Sequence, residues 1–233
     1  MDGTAKVEKK LLFLCLIMKK FIVVVFALML LAGGRAYAQW SLGAGYVHAS
    51  LVSRYAGGET YDKTAFNGLY AGIGYVLPVT RGLDFTPGVY YEYIACGEKT
   101  EGRTLDFLGE TREHYLNVPL TLQLGADLSP DVRLVLFAGP TFRLGLDSIT
   151  SYSLGWSVHE FEVLKGGINH HNFRGDDYSR FDLLLGGGIA LEVLSRFRLQ
   201  LGYDAGLLNR YTGEPDDLRM HARRLSAGIA YLF

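Results

Sequence analysis

The stretch Arg224-Leu225-Ser226-Ala227-Gly228-Ile229-Ala230-Tyr231-Leu232-Phe233 decides between two readings of the whole chain. Its odd positions are Leu225, Ala227, Ile229, Tyr231 and Phe233; its even positions are Arg224, Ser226, Gly228, Ala230 and Leu232. Successive side chains of a strand face opposite sides. One side is therefore apolar with aromatic residues at its end, and the other is small and mostly polar. Such a strand closes a lipid-embedded barrel against the first strand. It equally suits a half-buried strand of a soluble sandwich, so the rest of the chain must choose.

Working outward, the same period of two recurs in residues 40–47, 69–77, 83–93, 115–125, 132–144, 181–193 and 197–207. In the third of these, Leu83, Phe85, Pro87, Val89, Tyr91 and Tyr93 alternate with Asp84, Thr86, Gly88, Tyr90 and Glu92. Most segments are about ten residues long, the length a tilted strand needs to cross a bilayer. No charge falls on the apolar face within them. Trp40, Tyr46, Phe85, Tyr91, Tyr93, Phe181, Phe197 and Phe233 gather near segment ends, as the aromatic girdles of a membrane barrel do.

The connections alternate in length. Residues 50–67, 97–112, 148–179 and 209–220 are long, whereas 78–82, 127–131 and 195–196 are short. An up-and-down barrel produces this pattern, with short periplasmic turns, longer extracellular loops and both termini periplasmic. No sheet edge is tolerated in hydrocarbon, so the strands must close into a ring. The expected fold is all-β: an antiparallel up-and-down transmembrane β-barrel of about eight strands.

Upstream, Met18-Lys19-Lys20 precedes an apolar run over 21–31, and Ala36-Tyr37-Ala38 has the small-x-small cleavage pattern. Residues 1–38 are expected to be a secretory signal peptide, with the start at Met18 and a single barrel domain over 39–233. Beyond that segment Cys96 is the lone cysteine, which excludes an internal disulfide framework. With 23 basic and 24 acidic residues, the charge argues against a nucleic-acid partner. A monomer without cofactor is expected, its surroundings being outer-membrane lipid.

The inward sets place Asp84, Glu92, Asp182, Glu192 and Asp204 with Arg133, Arg143, Arg198 and Arg224. Buried charges must be paired and hydrogen-bonded, so an internal ion-pair network is expected. Inward glycines leave room for Tyr70, Tyr90, Tyr115 and Phe137. A ring of about eight strands is just wide enough for side chains to fill, which favours a plugged lumen over the alternative, a charged pore lining.

The connection 148–179 is the least typical piece. Tyr152, Trp156, Phe161 and Phe173 there are candidate contact residues. Residues 150–156 and 160–164 are read as a hairpin above the membrane, or as two further membrane strands that would make ten. His170-His171 suggests a metal, but adjacent residues on extended chain point apart and no cysteine or carboxylate sits at ligand spacing beside them. They are read as solvated.

Three stretches resemble a known family: Tyr115-Leu-Asn-Val-Pro119-Leu-Thr-Leu-Gln-Leu124, Leu136-Phe-Ala-Gly-Pro140, and Phe181-Asp-Leu-Leu-Leu-Gly-Gly-Gly188-Ile-Ala-Leu-Glu192. They are similar to the PorT-type outer-membrane β-barrel domain family. The resemblance implies a small eight-stranded barrel without catalytic residues, and one branch of that family serves a secretion apparatus. Tyr231 and Phe233 resemble the terminal signal read by the barrel-assembly machinery, which is therefore an implied partner during biogenesis.

Three functional classes follow. The first is a non-enzymatic barrel acting in envelope structure or surface contact, with a part in protein secretion as its variant. The second is a narrow passive channel. The third is a lipid-modifying enzyme, which needs a nucleophile, a base and an orienting group near the outer leaflet; His221 with Ser226, or His48 with Ser50, are its only candidates, and neither carries a motif.

Overall fold

The computed structural model describes residues 39–55, 60–101, 106–155, 157–158, 161–162, 166–174, 178–213 and 218–233. The strands are β1 Gln39–Tyr55, β2 Thr60–Thr80, β3 Leu83–Glu101, β4 Asp106–Ser129, β5 Val132–Gly155, β6 Ser157–Val158, β7 Phe161–Glu162, β8 Gly166–His171, β9 Phe181–Val193, β10 Phe197–Gly206 and β11 Leu218–Leu232. Eight of them form a closed ring in the order β4-β3-β2-β1-β11-β10-β9-β5, sealed by the pairing of β4 with β5. Every ring pairing is antiparallel.

Closure rests on the terminal strand. β11 pairs with β1 from Ser41↔Leu232 to Tyr55↔Leu218. The seam is locked at its end by Trp40 N–H donating to the Phe233 carbonyl at 3.1 Å and Phe233 N–H donating to the Trp40 carbonyl at 2.9 Å. The outward face of the ring is a band of exposed apolar residues, including Leu42, Leu69, Ile73, Leu122, Leu136, Ile189, Leu199 and Ile229. Such a surface is unfavourable in water and at home in hydrocarbon. Aromatic contacts mark one rim: Trp40 with Tyr75 at 4.8 Å, Phe197 with Tyr231 at 5.5 Å, and Tyr231 with Phe233 at 6.2 Å. Tyr231 and Phe233 thus stand on the outer face at the short-turn end.

The strands run well past the bilayer. β4 and β5 have 24 residues each, about twice the 9–11 residues a spanning strand requires. The connections expected over 50–67, 97–112 and 148–179 are consequently strand for much of their length. Apolar alternation stops where lipid stops, but backbone pairing above the membrane needs no such pattern. The tight turn expected at Ser195-Arg196 is centred one residue earlier. Leu194 and Ser195 both have positive φ, 55° and 54°, and Arg196 N–H donates to the Val193 carbonyl at 3.2 Å. This is the type I′ geometry that matches strand twist.

Ten membrane strands do not form. β5 continues beyond the ring and pairs with β8, from Ile149↔His171 to Leu154↔Gly166, and Ser157-Val158 pairs with Phe161-Glu162. The hairpin is real but its returning arm is 166–171, not 160–164. The glycines of this segment, Gly166 and Gly167, hid the arm from an apolar-periodicity reading.

Inside, aromatic side chains fill the lumen where facing residues are glycine. Tyr70 is 5% exposed; a Cβ on Gly45 would lie 2.7 Å from its ring, and one on Gly228 would overlap its hydroxyl and approach the Ala44 carbonyl to 2.7 Å. The Tyr70 hydroxyl also accepts a hydrogen bond from Gln200 Nε2 at 3.0 Å. Gly228→Ala is therefore expected to destabilise the barrel by about 1–3 kcal/mol, the usual penalty for overpacking. Adding Tyr70→Phe should recover part of it, as denaturant unfolding in lipid vesicles would show. An unchanged unfolding midpoint in the single variant would mean that this contact is not tight.

Candidate functional site

The inward charges form two layers. At the short-turn end, Arg133 Nη2 donates to Asp84 at 3.1 Å, and a second nitrogen lies 3.9 Å from Glu192. Glu192 also accepts from Arg198 Nε at 2.9 Å. Higher in the ring, Glu92 has no exposed surface. Its carboxylate accepts from Arg143 at 2.5 Å, Arg224 at 2.7 Å and Asn117 at 3.0 Å. Arg224 reaches on to Asp204 at 2.8 Å. The register explains the pairings: parity puts Glu92 opposite Tyr115 on β4 and Arg224 opposite Asp204 on β10.

Asp182 departs from the expected network. It is 2% exposed and stands directly opposite Arg143 in register. Neither of its carboxylate oxygens meets a side-chain donor among the described residues, and what faces them is the backbone of Leu183 and Leu208. The Arg143 guanidinium turns across the lumen to Glu92 instead, where it meets a carboxylate that Asn117 and Arg224 already hold in place.

Above these layers lies a group that periodicity did not reveal. Arg143 lies over the Tyr115 ring at 3.6 Å, and Arg210 donates to the Tyr115 hydroxyl at 2.6 Å. That hydroxyl donates to Glu113, which lies 3.5 Å from Arg210 and accepts from Ser148 Oγ at 3.1 Å. Asn172 extends the set to Ser148 and Thr150, at 2.9 Å each. Glu113 shares the parity of Tyr115 and Asn117, so the pattern extended by one step would have found it. Arg210 carries no sequence signal; it is placed by tertiary backbone bonds, Ser179 N–H to its carbonyl and its own N–H to the Met220 carbonyl, both 2.9 Å.

Phe173, expected as a surface contact, is turned inward. It is 5% exposed and packs edge-on against Tyr115 at 6.1 Å. Gly145 makes the space for it: a Cβ there would lie 2.5 Å from the ring. Arg180 donates to the Phe173 carbonyl at 2.7 and 3.0 Å, fixing the 3₁₀ turn Asn172–Arg174. Tyr152 and Phe161 lie in β5 and β7, with their side chains outside the described residues, and Trp156 lies outside them entirely. His170 is exposed, whereas His171 faces Asp147 at 3.4 Å.

Tyr115, Phe173, Phe66, Ile94, Val47 and Ala49 together make a buried cluster across the mouth. Below it, between the charge layers, is a cavity of about 100 Å³. Thr86 Oγ1, Asn117 Oδ1 and Gln123 Oε1 line it without protein partners among the described residues. A polar space of this size accommodates about three waters.

The pairs considered for lipid chemistry separate. Ser226 faces inward and approaches the Gly202 carbonyl at 3.4 Å, while His221 has the opposite parity. His48 shares a face with Ser50, but its Nδ1 is engaged by Asn67 at 2.8 Å. Asn67 also accepts from Tyr46 at 2.5 Å, which joins these three side chains at the outer aromatic rim.

Several solved barrels share a distant likeness. The attachment invasion locus protein Ail of Yersinia pestis, solved with the heparin analogue sucrose octasulfate, has 13% identity and a TM-score of 0.42 over 85% of this chain and all of its own. Neisserial surface protein A gives 14% identity and 0.40, again over 85% of this chain and 100% of its own. The outer-membrane protease OmpT of Escherichia coli gives 12% identity and 0.39, over 84% of this chain and 96% of its own. Likenesses this distant decide nothing about activity. No curated protein sequence matches the chain. The family profile described as the outer membrane protein beta-barrel domain matches residues 32–211. The closed eight-strand ring, the apolar outer band and this match agree: the chain belongs to the outer membrane protein β-barrel domain family and is an integral outer-membrane barrel.

Proposed function

We propose that this is a non-enzymatic outer-membrane barrel with a side-chain-filled lumen, acting in envelope structure or partner contact through the parts that stand above the bilayer. One observation carries the reading: the mouth is occupied by Tyr115, Arg143, Arg210 and Phe173, all buried. Their charges are matched by Glu92 and Glu113. A lumen closed in this way offers solutes no free path, while strands of 24 residues present a large surface outside. Within the family we place the chain with the PorT-type barrels, on the three stretches already quoted. Residues 1–38 act as the signal peptide in this reading, the short turns face the periplasm, and Tyr231 and Phe233 serve barrel assembly.

Planar-bilayer conductance tests it. The chain recovered from outer membranes, with a mass matching a start at Gln39, should be electrically silent once heat-dependent gel mobility shows it folded. Steady openings from folded protein would replace this reading with that of a passive channel, whose path would follow Arg143, Arg224 and Asp204.

A further inference from the structure

No further inference is drawn: the strongest candidate, the polar cavity between the two charge layers into which Thr86, Asn117 and Gln123 turn open oxygens, belongs to the lumen already described and calls for nothing more than the waters it accommodates.

Discussion

Glu92→Ala is expected to destabilise the folded barrel by about 3–5 kcal/mol, the cost of leaving buried cations without their counter-charge. Glu92 is completely buried and accepts hydrogen bonds from Arg143, Arg224 and Asn117. Arg224 keeps Asp204 when it is lost, but Arg143, 1% exposed, keeps no charged partner within ion-pair distance among the described residues. The variant should unfold at markedly lower urea concentration in lipid vesicles, and its gel-mobility transition should occur at lower temperature. Combining Glu92→Leu with Arg143→Met should cost less than Glu92→Ala alone, because a missing pair is milder than a broken one. A Glu92→Ala barrel within about 1 kcal/mol of the wild type would mean that water, not Glu92, neutralises the guanidinium groups.

Tyr115→Ala should combine a comparable loss of stability with a new property. The side chain is 2% exposed and lies between Arg143 and Phe173. Truncating a buried aromatic residue costs about 3–5 kcal/mol. It also removes the hydroxyl that links Arg210 to Glu113 and takes the central piece out of the mouth. We expect brief channel openings in planar bilayers from a barrel that is otherwise silent. Tyr115→Phe is the discriminating partner. It keeps the ring over Arg143 and loses only the hydroxyl, so it should cost about 1–3 kcal/mol and stay silent. Openings of equal size from both variants would place the closure elsewhere, and silence from a folded Tyr115→Ala barrel would mean that the charge layers below seal the lumen alone.

Each prediction rests on a side chain whose position is set at a different level. Glu92 and Arg143 were legible in the chain because a strand allows only two faces, and the apolar residues beside them claim the lipid side. The same parity assigns Asp84, Asp182, Glu192, Asp204, Arg133, Arg198 and Arg224 to the interior. The glycines, placed among large inward side chains, announced that the lumen is filled. The terminal segment announced closure, since an edge in hydrocarbon leaves backbone groups without partners.

Alternation is imposed by lipid, and it loses its information where lipid ends. Strand pairing then continues on backbone hydrogen bonds alone, so the outer reaches of β4 and β5 and the returning arm β8 carried no period to read. Which carboxylate takes which guanidinium was likewise invisible: parity says that Arg143 and Asp182 both point inward, yet only the ring's stagger brings Arg143 to Glu92. Phe173 and Arg210 lie in connections without any period, and tertiary contacts turned both into the mouth. The sequence by itself determined a closed barrel, its lipid face and the sign of its interior, because each follows from a rule of two faces and no edges. Only the tertiary structure decided the ion-pair partners and the stopper at the mouth, because the first depends on register between strands and the second on contacts between segments far apart in the chain.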